Sequence, residues 1–186
     1  MPTNARIVEV TTENLSEHPK IICFINPKHP HYHHKVEWLR ARFREGLRIK
    51  LLFVDGHPGP AGYIEYTPGE ACWRAVSAKG YLFVHCLWVA AKKLQHQGLG
   101  SLLLEEVERD AKGMLGVAAV TSDGPFMATR DLFLRNGYEV VQESGKDQLL
   151  VKQLEHGPRP SINDWQARLK KLSGMHIVYS AQCPWV

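Results

Sequence analysis

The sequence lacks a long hydrophobic run and an N-terminal targeting signal. No stretch of about 18 consecutive apolar residues occurs, so a membrane-spanning helix is not expected. The start, MPTNARIVEV, has neither the basic region nor the apolar region of a secretory signal. Low-complexity tracts are also absent, and 44% of the 186 residues are hydrophobic. We therefore expect a cytoplasmic protein with a core of its own and no membrane partner.

Cysteine and net charge are also sparse. The four cysteines follow no CxxC or Cys/His spacing typical of zinc, so we expect reduced thiols at Cys23, Cys72, Cys86 and Cys183 and no metal site. The formal charge is only +4, and basic and acidic residues are interspersed. A nucleic-acid partner is not expected, because no recognition motif accompanies the basic residues. A phosphorylated cofactor would suit this charge.

The hydrophobic pattern alternates between strand and helix periods. Strands are predicted over residues 6–11, 49–54, 61–66, 81–89, 116–121, 138–142 and 148–154. Helices are predicted over residues 35–48 and 99–111, and around Met127, Leu132 and Phe133 or Leu134. The segment 81–89, YLFVHCLWV, is apolar almost throughout, which is typical of a central strand buried on both faces.

A glycine-rich loop joins this central strand to the amphipathic helix that follows it. The loop reads Gln95-His96-Gln97-Gly98-Leu99-Gly100. Glycine has no Cβ, so backbone there can approach a ligand closely, and the free N–H groups at the start of a helix favour an anion. The loop predicts a site for a phosphate-bearing ligand, or else only a tight turn between strand and helix.

Two polar segments precede the central strand. Residues 28–34 contain four of the ten histidines, but no Asp, Glu or Cys completes a metal-ligand set at usual spacing. We favour a polar loop near a substrate entrance. The helix after it carries Arg40, Arg42 and Arg44 on one side, which is either a solvated face or a surface that attracts an acidic substrate.

The order of these elements resembles the GCN5-related N-acetyltransferase (GNAT) family over residues 6–154. The family signature of Gln or Arg, two residues, Gly, one residue, then Gly or Ala fits residues 95–100. Two further landmarks match in order, Leu87-Trp88-Val89 before the loop and LFLRNGY at residues 132–138 after it. The resemblance implies an α/β (α+β) fold. Its mixed, mostly antiparallel sheet would have about seven strands, splayed at the central strand and flanked by helices.

The same resemblance implies acetyl-CoA as cosubstrate. Backbone groups of Leu87, Trp88 and Val89 would pair with the pantetheine arm as one more strand. N–H groups of residues 97–101 would hold the pyrophosphate. The cofactor-binding residues implied in the loop and first helical turn are Gln95, His96, Gln97, Gly98, Leu99, Gly100 and Ser101.

The implied reaction transfers an acetyl group directly to a primary amine of a small molecule or peptide. The amine must lose a proton, and His85 is the expected base. It lies an even number of residues before Val89, hence on the same face of the strand unless a bulge intervenes. The alternative for His85 is a packed core histidine. The alternative for the protein is a noncatalytic CoA-binding or scaffolding module.

The sequence departs from the family pattern at two positions. Phe133 stands where many members have a tyrosine that protonates the departing thiolate, and Phe126 stands where an asparagine often contacts CoA. Phenylalanine cannot donate a proton. Either the thiolate leaves without a protein acid, or water, Cys86 or another side chain substitutes, or the domain binds CoA and turns over poorly.

The C-terminal part is expected to be a separate unit, dividing the chain into an acetyltransferase domain (1–155) and an extension (156–186). Residues 157–160 are predicted as a linker, and Ser161 with Asp164 as a helix start before Trp165, Leu169 and Leu172. A strand at 176–179 leads to Gln182-Cys183-Pro184-Trp185, which is similar to the active-cysteine start of thioredoxin-like domains found in the YoaP-like group of the family. The sequence stops where the helix that would activate Cys183 would begin, so we favour a truncated or vestigial unit over a redox role for Cys183, and both interpretations stay open. A truncated unit of this kind would pack on the main domain or in a homodimer.

Overall fold

A computed structural model describes residues 4–19, 26–89, 92–124, 127–164, 167 and 169–175. The strands are β1 (Ala5–Val10), β2 (Arg48–Val54), β3 (Gly62–Pro68), β4 (Val76–Ser77), β5 (Tyr81–Val89), β6 (Gly116–Thr121), β7 (Glu139–Ser144), β8 (Asp147–Gln153) and β9 (Ser161–Ile162). The α-helices are α1 (Tyr32–Arg44), α2 (Leu99–Asp110) and α3 (Arg130–Arg135). None of the helices in these ranges combines the length and the apolar character needed to span a bilayer.

Seven of the strands form one mixed sheet in the order β1-β2-β3-β5-β6-β8-β7. The β5–β6 pair is parallel, and the five other neighbouring pairs are antiparallel. The predicted α/β fold with a seven-stranded, mostly antiparallel sheet is therefore confirmed. Strands β4 and β9 form a separate two-stranded sheet.

The sheet opens between its two parallel strands. Pairing of β5 with β6 runs from Tyr81 opposite Gly116 to Val84 opposite Ala119 and stops there. Strand β5 continues for five more residues, along which β3 remains its neighbour on the other side. Among the described residues, no strand pairs with the second edge of residues 85–89. The carboxyl-terminal half of β5 thus has a free backbone edge next to the gap.

A β-bulge interrupts β5 at its middle. Glu65 lies opposite Cys86 and Tyr66 lies opposite Val84, so one step along β3 corresponds to two steps along β5. His85 is the additional residue. A bulge of this kind changes which face of the sheet the following side chains occupy.

The consequence of the bulge is visible in the core. Val84 packs in the same hydrophobic cluster as Leu87 and Val89, on the face covered by α2. His85 contacts Phe83 on the opposite face. We expected His85 to share a face of the strand with Val89 unless a bulge intervened. The bulge is present, and the two side chains lie on different faces of the sheet.

Both faces of the sheet are covered by helices. Helix α2 buries Leu99, Leu103, Leu104 and Val107 against one face, at the i, i+4, i+5 and i+8 positions of an amphipathic helix. Helix α1 buries Leu39 on the other face, beside Leu47, Ile49 and Leu51. Helix α1 thus covers the β1–β2 side of the sheet, while α2 packs on β3 and β5 beside the gap.

The observed α1 is shifted toward the N-terminus relative to the predicted helix over 35–48. It ends at Arg44, and Gly46 follows with φ of +93°, a conformation that ends helices. Leu47 is buried as predicted but lies outside the helix, and Arg48 begins β2. At the other end, His33 and His34 belong to the first turn of α1, so only part of the predicted histidine loop is a loop.

The predicted helix start at Ser161 is wrong. Ser161 pairs with Ser77 in the β4–β9 sheet, and the Asn163 N–H donates to the Ala75 carbonyl at 2.7 Å. A side-chain cap occurs later, where the Asp164 carboxylate accepts from the Ala167 N–H at 2.9 Å. The predicted strand at 176–179 and the Cys183 motif lie outside the described residues. They stay predictions, as does the division at residue 155.

Candidate active site

A left-handed glycine connects the loop after β5 to helix α2. Gly98 is the N-cap of α2 with φ of +81°, and the Leu102 N–H donates to its carbonyl at 3.0 Å. A residue with a Cβ would be strained in this conformation. His96 also has a positive φ of +61°, so the loop turns twice through left-handed backbone before the helix begins.

The N-terminus of α2 is uncapped. No side chain from the described residues caps it, and the first turn contains no acidic residue. Helix amides in the first turn lack an intrahelical acceptor, and the helix dipole makes this end positive. The buried Leu99, only 1% exposed, anchors this turn against the core. The amides of the first turn are therefore fixed in place and suited to an anion.

A cleft of about 570 Å³ lies between the free edge of β5, the glycine loop and α3. It is lined by Leu87, Trp88, Val89, Leu94, Gln95, His96, Gly98, Leu99, Gly100, Ser101, Met127, Ala128, Thr129, Leu132 and Arg135. Of the residues implied as cofactor-binding by the sequence, the structure brings all but one to this cleft.

The exception is Gln97. Its side-chain amide donates to the Lys93 carbonyl at 2.6 Å, and Gln97 does not line the cleft. This hydrogen bond joins two positions of the same loop. Gln97 therefore holds the loop in shape, while its neighbours line the cleft.

Helix α3 forms a wall of the cleft that the sequence patterns did not assign to the site. Leu132 and Arg135 lie three residues apart on one face of this helix, and both line the cleft. A Cβ built on Gly100 would lie 3.1 Å from Leu132, so α3 packs closely on the start of α2. The i, i+3 spacing was visible in LFLRNG, but which face of so short a helix meets a cleft depends on tertiary packing.

His85 is buried beside the bulge, with 7% of its surface exposed. Its ring stacks on Trp73 at 3.6 Å between centroids, and Nε2 lies 3.0 Å from the Thr67 hydroxyl. Burial, and to a lesser extent the charge of Arg74, lowers the pKa of His85 well below 6.5. The imidazole is therefore neutral at physiological pH. Nδ1 is buried and has no hydrogen-bond partner within the described ranges.

A buried carboxylate lies on the same face as His85. Glu65 is 3% exposed and accepts a hydrogen bond from the Tyr63 hydroxyl. It is adjacent to the bulge, opposite Cys86. It was missed in the sequence, although an acidic residue inside the apolar strand GYIEYTP was a usable signal, because buried carboxylates are uncommon without a partner or a role.

Phe133 points into the core. It is 2% exposed, its ring meets the Tyr138 ring edge-on at 5.3 Å, and it does not line the cleft. No protein acid is therefore supplied from this position. Phe126, the second departure from the family pattern, lies outside the described residues.

The rings of the histidine-rich segment lie against one another, one pair stacked and the others tilted. His33 and His34 lie 3.9 Å apart, and His31 stacks on His34 at 5.6 Å between centroids. Within the part of the chain that the structure describes, no group of three or more His, Cys, Asp or Glu side chains is arranged to hold a metal.

Sequence comparison places these features among known proteins. The Acetyltransferase (GNAT) family profile matches residues 11–138. The "Uncharacterized N-acetyltransferase YoaP" of Bacillus subtilis (strain 168) is 28% identical over 189 residues, which cover 95% of this chain and 72% of the relative.

Solved structures of acetyltransferases share the fold. An acetyltransferase from Thermus thermophilus has a TM-score of 0.60 at 17% identity, covering 82% of this chain and 99% of the other. The PaiA N-acetyltransferase from Thermoplasma acidophilum, in complex with coenzyme A, has a TM-score of 0.56 at 16% identity, covering 82% and 100%. With a family profile that spans more than half of its residues, the chain belongs to the acetyltransferase (GNAT) family, whose members are acetyl-CoA-dependent acyltransferases.

Proposed function

We propose that the protein transfers an acetyl group from acetyl-CoA to a primary amine of a small molecule or peptide. One observation carries the proposal: the cleft joins the free edge of β5 to the uncapped N-terminus of α2. An extended pantetheine arm, with its two amides, suits an unpaired strand edge. A pyrophosphate suits free helix amides.

The dimensions and surfaces of the cleft fit this cosubstrate. A volume of about 570 Å³ falls in the range of ligand pockets. A Cβ built on Gly98 would meet no atom within 4 Å, so the loop backbone faces open space where a phosphate could approach. Apolar Leu87, Val89 and Leu132 line other parts of the cleft, next to where the arm would lie.

Acetyl-CoA supplies an activated acyl group: the amine nitrogen forms a bond to the thioester carbonyl carbon, and the carbon–sulfur bond breaks. The protein must take one proton from the amine. His85 is our candidate base; it does not line the cleft and would act from the other face of β5, beside the gap. If Nε2–H donates to the Thr67 hydroxyl, the lone pair lies on Nδ1, the atom that has no partner within the described ranges. The lowered pKa of His85 keeps this nitrogen unprotonated at neutral pH.

The departing thiolate needs no protein acid in this scheme. Thiols are far more acidic than alcohols, with a pKa of about 8.5 for free cysteine, so a thiolate is a weak enough base to leave unaided. The core position of Phe133 is consistent with that route. It also favours a second candidate function, a noncatalytic CoA-binding module. Steady release of free thiol from acetyl-CoA in the presence of an amine panel distinguishes catalysis from binding alone.

The binding half of the proposal is tested by a matched pair of glycine substitutions. Gly98 and Gly113 have φ of +81° and +82°, and a Cβ at either would meet no atom within 4 Å. The backbone strain of Gly98→Asp and Gly113→Asp is therefore alike. Only Gly98 lines the cleft. By calorimetry, Gly98→Asp should weaken acetyl-CoA binding at least about ten-fold through charge repulsion, equivalent to about 1.4 kcal/mol, while Gly113→Asp should bind as the parent does.

Two results would count against the proposal. The first is a parent protein that gives no heat of binding with acetyl-CoA at millimolar concentration. The second is equal affinity of the Gly98→Asp and Gly113→Asp variants, which would place the nucleotide away from the loop.

A further inference from the structure

Helix α3 is held at a fixed position along the cleft. Two residues before its start, the Ala128 carbonyl accepts a hydrogen bond from the Thr121 hydroxyl at the end of β6. In its middle, Leu132 lies against Gly100 of α2, where a Cβ would come within 3.1 Å. These two contacts orient α3 so that it runs from the end of β6 past the N-terminus of α2.

Arg135 lies on the same face of α3 as Leu132. It lies three residues after Leu132, which on a helix places it on the same side and about 4.5 Å farther along the axis. Both residues line the cleft. Arg135 therefore lies on the same wall of the cleft as Leu132, which itself packs against the start of α2.

The charge of Arg135 is available to a ligand. It is the only Lys or Arg among the described residues that line the cleft. No described carboxylate lies within salt-bridge distance of it, whereas Arg130 on the same helix lies 3.8 Å from Glu143. Arg135 is also exposed. An exposed guanidinium without a carboxylate partner beside a cleft is suited to a phosphate, which it binds through two parallel N–H groups.

Coenzyme A carries a second anionic group besides its pyrophosphate, a phosphomonoester on the ribose. The amides of α2 account for the pyrophosphate alone. We propose that Arg135 binds the ribose 3′-phosphate of coenzyme A and makes the protein discriminate coenzyme A from its 3′-dephospho form. This inference rests on the proposed function, because it requires the nucleotide in the cleft.

The test is a calorimetric comparison of coenzyme A with 3′-dephospho-coenzyme A, using the full chain. The parent protein should bind coenzyme A at least about ten-fold more tightly. In Arg135→Gln the two ligands should bind within about two-fold of each other, at the affinity of the parent for the dephospho form. Arg135→Lys should retain part of the preference, since it keeps the charge but loses the planar pair of donors. Arg130→Gln is the matched control and should discriminate as the parent does.

The outcomes distinguish failure of the proposed role of Arg135 from failure of the proposed function. A parent protein that binds neither ligand overturns the proposed function. A parent that binds both ligands equally well leaves the proposed function standing and overturns the role of Arg135. That role is also overturned if Arg135→Gln weakens both ligands by the same factor, because the loss would then not depend on the 3′-phosphate.

Discussion

Burial controls the protonation state of His85. The unfolded chain takes up a proton near pH 6.5, whereas in the folded protein desolvation holds the pKa of His85 well below that value. Between the two pKa values the unfolded state binds one more proton than the folded state. The contribution of neutral His85 to the free energy of unfolding is therefore fully present above about pH 6.5. It decreases as the pH falls, by up to about 1.4 kcal/mol per pH unit.

The variant His85→Gln should remove this acid sensitivity and lower activity together. Glutamine keeps a polar group near Thr67 but takes up no proton in this range. Between pH 6.5 and pH 5, the free energy of unfolding of the parent should fall by up to about 2 kcal/mol more than that of His85→Gln. If His85 is the base, kcat/KM should also drop by about a hundred-fold at neutral pH.

Urea unfolding across pH and a thiol-release assay measure the two effects separately. His156→Gln is the control, because His156 is exposed. His85→Gln could keep full activity while its free energy of unfolding depends less on pH below 6.5. That result would show that His85 is a packed core histidine without a catalytic role.

Single residues were predictable from the sequence where their chemistry is local. Gly98 was singled out because a residue without a Cβ lets the backbone approach a ligand, and it lines the cleft. The bulge at His85 was not predictable, since no Gly or Pro marks it and it depends on pairing with β3. Arg135 was missed for a related reason: its role depends on how α3 packs against Gly100.

An ion cluster around the buried Lys50 joins helix α2 to strands β2 and β3. The Lys50 ammonium, on a side chain only 6% exposed, lies 2.9 Å from Glu106 and 3.0 Å from Asp110. Arg48 lies 2.6 Å from the same Asp110 carboxylate, to which the Tyr66 hydroxyl also donates. Burial of one charge without its partners would be unfavourable, so the three strand residues and two helix carboxylates stabilise one arrangement of α2 on the sheet.

Removing the lysine should therefore destabilise the α2 interface strongly. Lys50→Met removes the buried cation between Glu106 and Asp110. It leaves these carboxylates only the more exposed Arg109 and Arg48, so we expect a loss of about 3 kcal/mol in the free energy of unfolding at pH 7. Lys152 offers a matched comparison, because it pairs with Glu108 of the same helix at 2.6 Å but is 29% exposed. Lys152→Met should cost about 1 kcal/mol or less. Equal losses in chemical denaturation would show that burial does not set the energetics of this cluster.

Elements with their own periodicity were predicted well, and elements that exist only through tertiary contacts were not. The bounds of β5 and β6 match the sequence prediction because each is a continuous apolar run. Strands β4 and β9 have two residues each and exist only as partners of one another. In α1 the end was misplaced because Leu47 continued the helical spacing of apolar residues past Gly46.

At the scale of the whole molecule, residues 157–163 pack against the main sheet. The Tyr81 hydroxyl donates to the Pro158 carbonyl at 3.1 Å, and the Ile162 N–H donates to the Gln142 side chain at 2.7 Å. Ile162 also packs against the hydrophobic cluster that contains Phe83. The predicted linker thus makes specific contacts with β5 and β7.

These contacts predict that the segment contributes to global stability. Ile162→Ala should lower the free energy of unfolding by about 1 to 2 kcal/mol, within a single transition, because it is only partly buried. Leu172→Ala is the control, since Leu172 is 48% exposed and should contribute less than about 0.5 kcal/mol. Thermal or denaturant unfolding followed by circular dichroism measures both. A separate early transition in the parent, or no effect of Ile162→Ala, would show instead that the segment folds independently of the sheet.

The extra residue in β5 divides this strand into two halves that are out of phase. Val84 and Leu87, an odd number of positions apart, pack in one cluster, although in an uninterrupted strand they would point in opposite directions. The bulge therefore accommodates one residue more than a regular strand would hold between Val84 and Leu87. Deleting His85 would leave these two residues two positions apart, so both would keep their layer, and the loss in stability would come from the buried contacts of His85 with Trp73 and Thr67.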